Sequence, residues 1–126
     1  MERASVPHYP GSALIDAYGN GGFRFAGMSH RGSLLCLPDG IWGWPVASPG
    51  ELSEHALAPI LEQAAELDFV VIGVGRDLWV MPDALRQRFR EAHLSADAMT
   101  TGAAVRTYNV LLAERRRVAA GLIAVD

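Results

Sequence analysis

The chain has no lysine; all 11 of its basic residues are arginine. A nucleotide-binding loop of the Walker type needs a lysine against the phosphates, so that chemistry is excluded. Schiff-base catalysis, including that of pyridoxal phosphate enzymes, needs a lysine amine and is excluded as well. Cysteine is nearly absent. Cys36 stands alone in Leu34-Leu-Cys-Leu37, which rules out an internal disulfide and a thiolate zinc cluster and reads as a small buried hydrophobe. Positive charge is in deficit, 14 acidic residues against 11 basic for a net charge of -3, so nothing here would neutralise a row of phosphates on a nucleic acid. No apolar run approaches the roughly 18 residues of a membrane span. Residues 1–10 resemble neither a secretory signal nor a mitochondrial targeting helix. The expectation is a cytoplasmic protein with a flexible tail over residues 1–12 and one domain over 13–126.

Catalytic patterns are missing too. No Gly-x-Ser-x-Gly elbow presents a serine nucleophile, and His8, His30, His55 and His93 lack the spacing of metal ligands. The reading is a non-enzyme with no catalytic residue, cofactor or metal.

What is present is a globular composition. Half of the 126 residues are hydrophobic and 20% are charged, enough for one domain burying roughly two thirds of its unfolded surface. Short strand-like pieces at 13–18 and 23–28 flank Gly19-Asn20-Gly21-Gly22, a turn that calls for positive φ. A second turn at His30-Arg31-Gly32 leads to an apolar strand at 33–37, which stops at Pro38-Asp39-Gly40. Trp42 and Trp44 project to one side if that piece is extended. Ser53 suits an N-cap, with Leu52 and Leu57 at the staple positions. Leu57, Ile60, Leu61 and Ala64 make a helical stripe that Pro59 is expected to bend or delay.

The run Phe69-Val-Val-Ile-Gly-Val-Gly75 reads as a strand covered on both faces. Residues 78–81 read as a short extended piece, and Pro82 as the first turn of a helix facing inward through Leu85, Phe89 and Ala92. Residues 96–99 suggest an edge strand. Thr101 is expected to cap a helix of about 102–115, and 118–125 to close the chain as a strand. The predicted fold is a single three-layer α/β domain with a mixed central sheet, an N-terminal β-meander and about three helices.

Ile15-Asp-Ala-Tyr-Gly-Asn-Gly-Gly-Phe-Arg-Phe25, Gly32-Ser-Leu-Leu, Trp42, Ile72-Gly-Val-Gly75 and Ala103-Ala-Val-Arg-Thr-Tyr-Asn-Val-Leu111 follow one another with suitable spacing. Together they resemble the small, largely uncharacterised α/β domain family that includes mitochondrial complex I assembly factor 3 and an adipogenesis-associated homologue. The resemblance implies a three-layer fold with a long bent strand over one side. It also implies an assembly role through protein partners rather than an established activity. Where members carry Gly-Thr-Gly, this chain has Gly73-Val74-Gly75, without the central hydroxyl.

Strand ends that turn on glycine beside a helix start are where α/β folds place ligands. Gly73 and Gly75 either admit a ligand to backbone amides or simply turn the chain. Arg76 follows them. Arg106 and Asn109, three apart on one helix face, either project into a cleft beside that turn or hydrogen-bond loose backbone. Tyr108 reads as packing, with its hydroxyl at the surface. Trp44, if exposed near Pro45, would offer a partner patch; otherwise it roofs the sheet. Arg115, Arg116 and Arg117 are either a solvated helix end or a weak contact for an acidic partner or membrane surface. Two readings of function result. The first is a non-enzymatic interaction or assembly module, monomeric or a small homo-oligomer. The second is a small-molecule or anion binder using the cleft between the glycine turn and Arg106 and Asn109.

Overall fold

A computed structural model describes residues 7–126. Five strands come first: β1 (Ile15–Gly19), β2 (Gly22–Phe25), β3 (Met28–Arg31), β4 (Ser33–Leu37) and β5 (Gly40–Trp44). Then α1 (Glu54–Leu61), β6 (Phe69–Gly73), α2 (Asp83–Glu91), β7 (Ser95–Met99), α3 (Thr101–Ala113) and β8 (Val118–Leu122) alternate. The strands form two sheets, an antiparallel β1-β2-β3 meander and a mixed five-stranded sheet in the order β5-β4-β8-β6-β7. This is the expected α/β domain, with three α-helices among the described residues.

Both hairpin loops of the meander hold two residues with positive φ, Asn20 and Gly21 (53° and 80°) and then Ala26 and Gly27 (50° and 76°). Such loops match the right-handed twist of the flanking strands. His30 and Arg31 therefore lie in a strand rather than the expected turn, paired with Phe23 and Gly22. The actual bend is Gly32 alone, at φ +97°, and it carries the chain from β3 into β4 of the other sheet. β3 and β4 thus make one long strand folded over the sheet, as the family resemblance implied.

β6 pairs in parallel with both β7 and β8, and its Val70, Val71 and Ile72 are fully buried. Its unbroken apolar sequence follows from that double cover. Two cores lie on opposite sides of the sheet. One gathers Leu35, Trp42, Trp44, Leu57, Ile60, Val70, Ile72, Leu85 and Phe89 beneath α1 and α2. The other gathers Phe23, Phe25, Leu34, Cys36, Ile41, Val71, Val105 and Tyr108 beneath α3 and the meander.

Helix starts follow local chemistry. The Ser53 hydroxyl accepts from Ala56 N at 3.1 Å, with Leu52 and Leu57 both buried around it. α1 runs through Pro59 rather than beginning after it, and ends at Leu61; the proline costs the helix one bond, to the His55 carbonyl. Pro82 is the N-cap of α2 rather than its first residue. Thr100, not Thr101, caps α3, accepting from Ala103 N at 3.5 Å. Residues 78–81 form no strand; Leu78 and Val80 are exposed while Met81 is buried. Of the segment expected to be a tail, residues 1–6 lie outside the described residues. His8 N donates to the Ile41 carbonyl at 2.8 Å, and Tyr9 bridges Ile41.

Candidate functional site

The end of β6 does abut the front of α3. Gly73 allows this close approach: a Cβ there would stand 3.0 Å from Thr101 Cα, 3.1 Å from Ala104 Cβ and 3.2 Å from Leu122. The chain then turns at Gly75, whose φ of +104° disfavours any residue with a side chain.

The space between the glycine turn and the helix is not an open cleft. The buried Thr101 side chain fills it. Its Oγ1 accepts from Gly75 N at 3.0 Å and donates to the Ile123 carbonyl at 2.7 Å, while Thr101 N donates to the Gly75 carbonyl at 2.9 Å. Ile123 N closes the set by donating to the Gly73 carbonyl at 2.9 Å. Three chain segments are thus joined by one hydroxyl. Sequence reasoning singled out Thr101 only as a cap; the cue it left unused was the Thr-Thr pair, one residue capping and the next pointing inward.

The polar residues expected to converge there are dispersed. Asn109 grips the meander, its Oδ1 accepting from Ile15 N at 2.8 Å and its Nδ2 donating to the Ile15 carbonyl at 2.9 Å. That is the backbone-tying alternative. Arg106 is exposed, and no hydrogen bond or ion pair holds it among the described residues. The Arg76 guanidinium donates to the Asp126 main-chain carbonyl. Gly75 and Arg76 border a groove of about 460 Å³ with residues 47–49 and 123–126, and neither Arg106 nor Asn109 lines it.

Trp44 is not at the surface. It is 4% exposed, its Nε1 donates to the Ala56 carbonyl at 3.1 Å, and its ring lies across Gly121, where a Cβ would stand 2.6 Å from Cη2. An indole that fits only over a residue without a side chain roofs the sheet, so Trp44 offers no partner patch.

Tyr108 also corrects the expectation. It is fully buried, and its hydroxyl faces the Cys36 thiol, a weak partner, with no conventional hydrogen bond among the described residues. Burial raises its pKa, and burial likewise pushes the Cys36 thiol up to about 12, where it is inert as a nucleophile.

The arginine triplet is divided. Arg117 donates to Asp68 Oδ1 at 2.9 Å and through its backbone N to Oδ2 at 3.1 Å, and Arg116 stands 3.9 Å from the same carboxylate. The Arg117 side chain and backbone hold the Asp68 carboxyl below the usual range. Arg115, at φ +63°, terminates the helix.

The most exposed large apolar side chains among the described residues lie elsewhere. Leu78 and Val80 are 88% and 80% exposed on the loop between β6 and α2. Trp79 lies between them and lines a groove of about 410 Å³ bounded by α2 and β7. Among the described residues no helix is long and apolar enough to cross a membrane, and no group of three or more His, Cys, Asp or Glu is placed to hold a metal ion.

This architecture is that of the Mth938-like domain: a Bordetella pertussis solution structure so described superimposes with a TM-score of 0.78 at 23% identity, over 98% of this chain and 92% of that one. The chain belongs to the family described as protein of unknown function (DUF498/DUF598), whose model matches residues 15–123. A crystal structure described as an outer membrane protein from Bartonella henselae is 51% identical, with a TM-score of 0.90 over 94% of this chain and 100% of that one. An uncharacterised protein of Rhodobacter capsulatus is 36% identical over 93% of this chain and 89% of its own length. NADH dehydrogenase [ubiquinone] 1 alpha subcomplex assembly factor 3 of Mus musculus is 26% identical over 91% of this chain, which spans only 62% of that relative.

Proposed function

We propose that this chain is a non-enzymatic protein-interaction module with an assembly-factor-like role, working in the cytoplasm. The observation that carries it is the Leu78–Val80 loop, which holds two large aliphatic side chains in water although the adjacent Met81 is buried. Covering an exposed leucine or valine contributes about 1.5–3 kcal/mol, and a rigid, half-buried Trp79 between them suits an interface anchor. The likeness to an assembly factor supports the same reading. The small-molecule or anion alternative at Gly73, Gly75, Arg76, Arg106 and Asn109 is less favoured, because Thr101 fills the space between turn and helix and neither Arg106 nor Asn109 lines the groove that Gly75 and Arg76 border.

Cross-linking of a tagged chain in its own cells, with the double variant Leu78→Asp and Val80→Asp alongside, tests the proposal. The expected result is one partner recovered in near-equal amount and lost in the double variant, whose fold is unchanged because both sites are exposed. A partner retained equally by the variant, or none retained after cross-linking, sinks it. Cell fractionation tests the compartment.

A further inference from the structure

The five-stranded sheet ends on β5 at one side, where Tyr9 bridges Ile41, and on β7 at the other, which has β6 along one side only. Val74 N donates to the Met99 carbonyl at 2.9 Å. In an extended strand a residue's own N–H and C=O point the same way and successive residues alternate. Ser95, Asp97 and Met99 therefore turn their backbone groups toward β6, and Ala96 and Ala98 turn theirs outward. There, no group among the described residues meets them. An unpaired edge of this kind is a template for another strand.

The same edge is one wall of the groove of about 410 Å³. Its floor is apolar, made by the buried Met81, Phe89 and Leu94, and its rim carries Arg86, Arg90 and His93. Arg86 is held in place by donating from Nε to the Met81 carbonyl at 3.1 Å. The acid on α2 nearest the rim, Glu91, is engaged by Arg88 at 3.6 Å and by Gln87 at 3.3 Å. Ala96 and Ala98 pack on the groove side of the sheet, so strand alternation puts Asp97 on the opposite face with Met99. Asp97 borders the groove only along the strand edge, with its side chain on the opposite face, so the groove face is mainly apolar and basic.

Resting on the interaction-module reading above, we infer that β7 and this groove take an extended segment of a protein partner as a sixth strand. Its alternate residues are aliphatic side chains set on Met81, Phe89 and Leu94, flanked by a carboxylate that reaches Arg86 and Arg90. The intervening residues are basic and face Asp97. Main-chain pairing supplies affinity in this mode and the pockets supply selection. A second copy of this chain fits worse. Two β7 strands paired about a two-fold axis with Ala96 opposite Ala98 would set Asp97 against Asp97 and one arginine rim against another, and like charges directly opposite destabilise a sheet.

The probe is a capped heptapeptide, Glu-Lys-Val-Lys-Val-Lys-Glu, which places valine and glutamate on one face and lysine on the other. It is titrated into the isotope-labelled chain and followed by NMR. Amide shifts should gather at residues 95–99 and at Arg86, Arg90 and His93, with hydrogen exchange at Ala96 and Ala98 slowed about tenfold or more at saturation. Two further peptides, each N-methylated on one alternate set of amides, should differ: one fails to bind and the other binds as the parent does. Arg90→Glu, at an exposed site, should weaken binding about tenfold or more. Ala98→Pro should do the same without breaking the β6 pairing, since that N–H faces outward. Equal binding by both methylated peptides, shifts on another face, or no binding at about 1 mM peptide overturns the proposal. So does a homodimer that Ala98→Pro dissolves. Any of these failures leaves the interaction-module reading intact if the Leu78 and Val80 double variant still loses its partner.

Discussion

Thr101→Val removes one hydroxyl and almost no volume, and it isolates the link that joins β6, α3 and β8. Two groups lose their partner, the Gly75 N–H and the Ile123 carbonyl. A buried polar group left unsatisfied costs about 1–3 kcal/mol. Ile123 is buried and bears that loss in full; Gly75 is half-buried, so water makes good part of it. The combined destabilisation is about 2–4 kcal/mol. With an unfolding entropy of about 2.1 cal/mol/K per residue, the melting temperature should fall by about 8–15 °C. Urea unfolding should show a lower midpoint with an unchanged slope, because the surface exposed is the same. Thr101→Ser keeps the hydroxyl and loses one methyl, at about 1 kcal/mol. A valine variant as stable as the serine variant refutes the reasoning, for it would mean the hydroxyl joins nothing.

Other outcomes can be checked in the same way. Ala26→Asn should stabilise the chain by about 0.5–1 kcal/mol in thermal unfolding, because asparagine tolerates the positive φ that alanine is forced into at this turn. Tyr108→Phe should be neutral or stabilising, since the hydroxyl it deletes is buried without a strong partner. The His30 pKa lies below its ordinary 6.5, through burial first and the charge of the adjacent His8 second. The unfolded state thus takes up the proton first, so the stability this residue contributes is complete above pH 6.5 and lost below it. NMR titration of His30 should give a midpoint under 6.5, and His30→Gln should flatten stability over that range. Cys36, with its pKa pushed up to about 12, should resist iodoacetamide at neutral pH and react only as the whole domain unfolds.

The parts of the fold legible from sequence were those set by local chemistry. The apolar run at 69–73 and its glycines announced an interior strand meeting a helix, and Ser53 announced the start of α1. The edge strand suggested at 96–99 is β7, one residue longer at Ser95–Met99. β3 was not legible, because Met28-Ser-His-Arg31 is polar and short and is strand only by pairing with β2. The site was harder to foresee. Glycines at 73 and 75 signal either a ligand or a neighbour, and only the position of Thr101 separates the two. Arg76 finds its partner 50 residues away, and the basic groove exists only because α2 lies beside a strand that ends the sheet. Such placements depend on topology, which periodicity does not encode.

β8 comes last in the order of elements yet sits near the middle of the larger sheet, with β4 on one side and β6 on the other. On the ribosome, the two halves of that sheet therefore have no strand to join them until β8 has left the exit tunnel. Folding must wait for a contact between distant parts of the chain, the slow kind of closure. Until then, the flanks of β4 and β6 that β8 will occupy stay bare, and a nascent chain in that state is one for chaperones to shield.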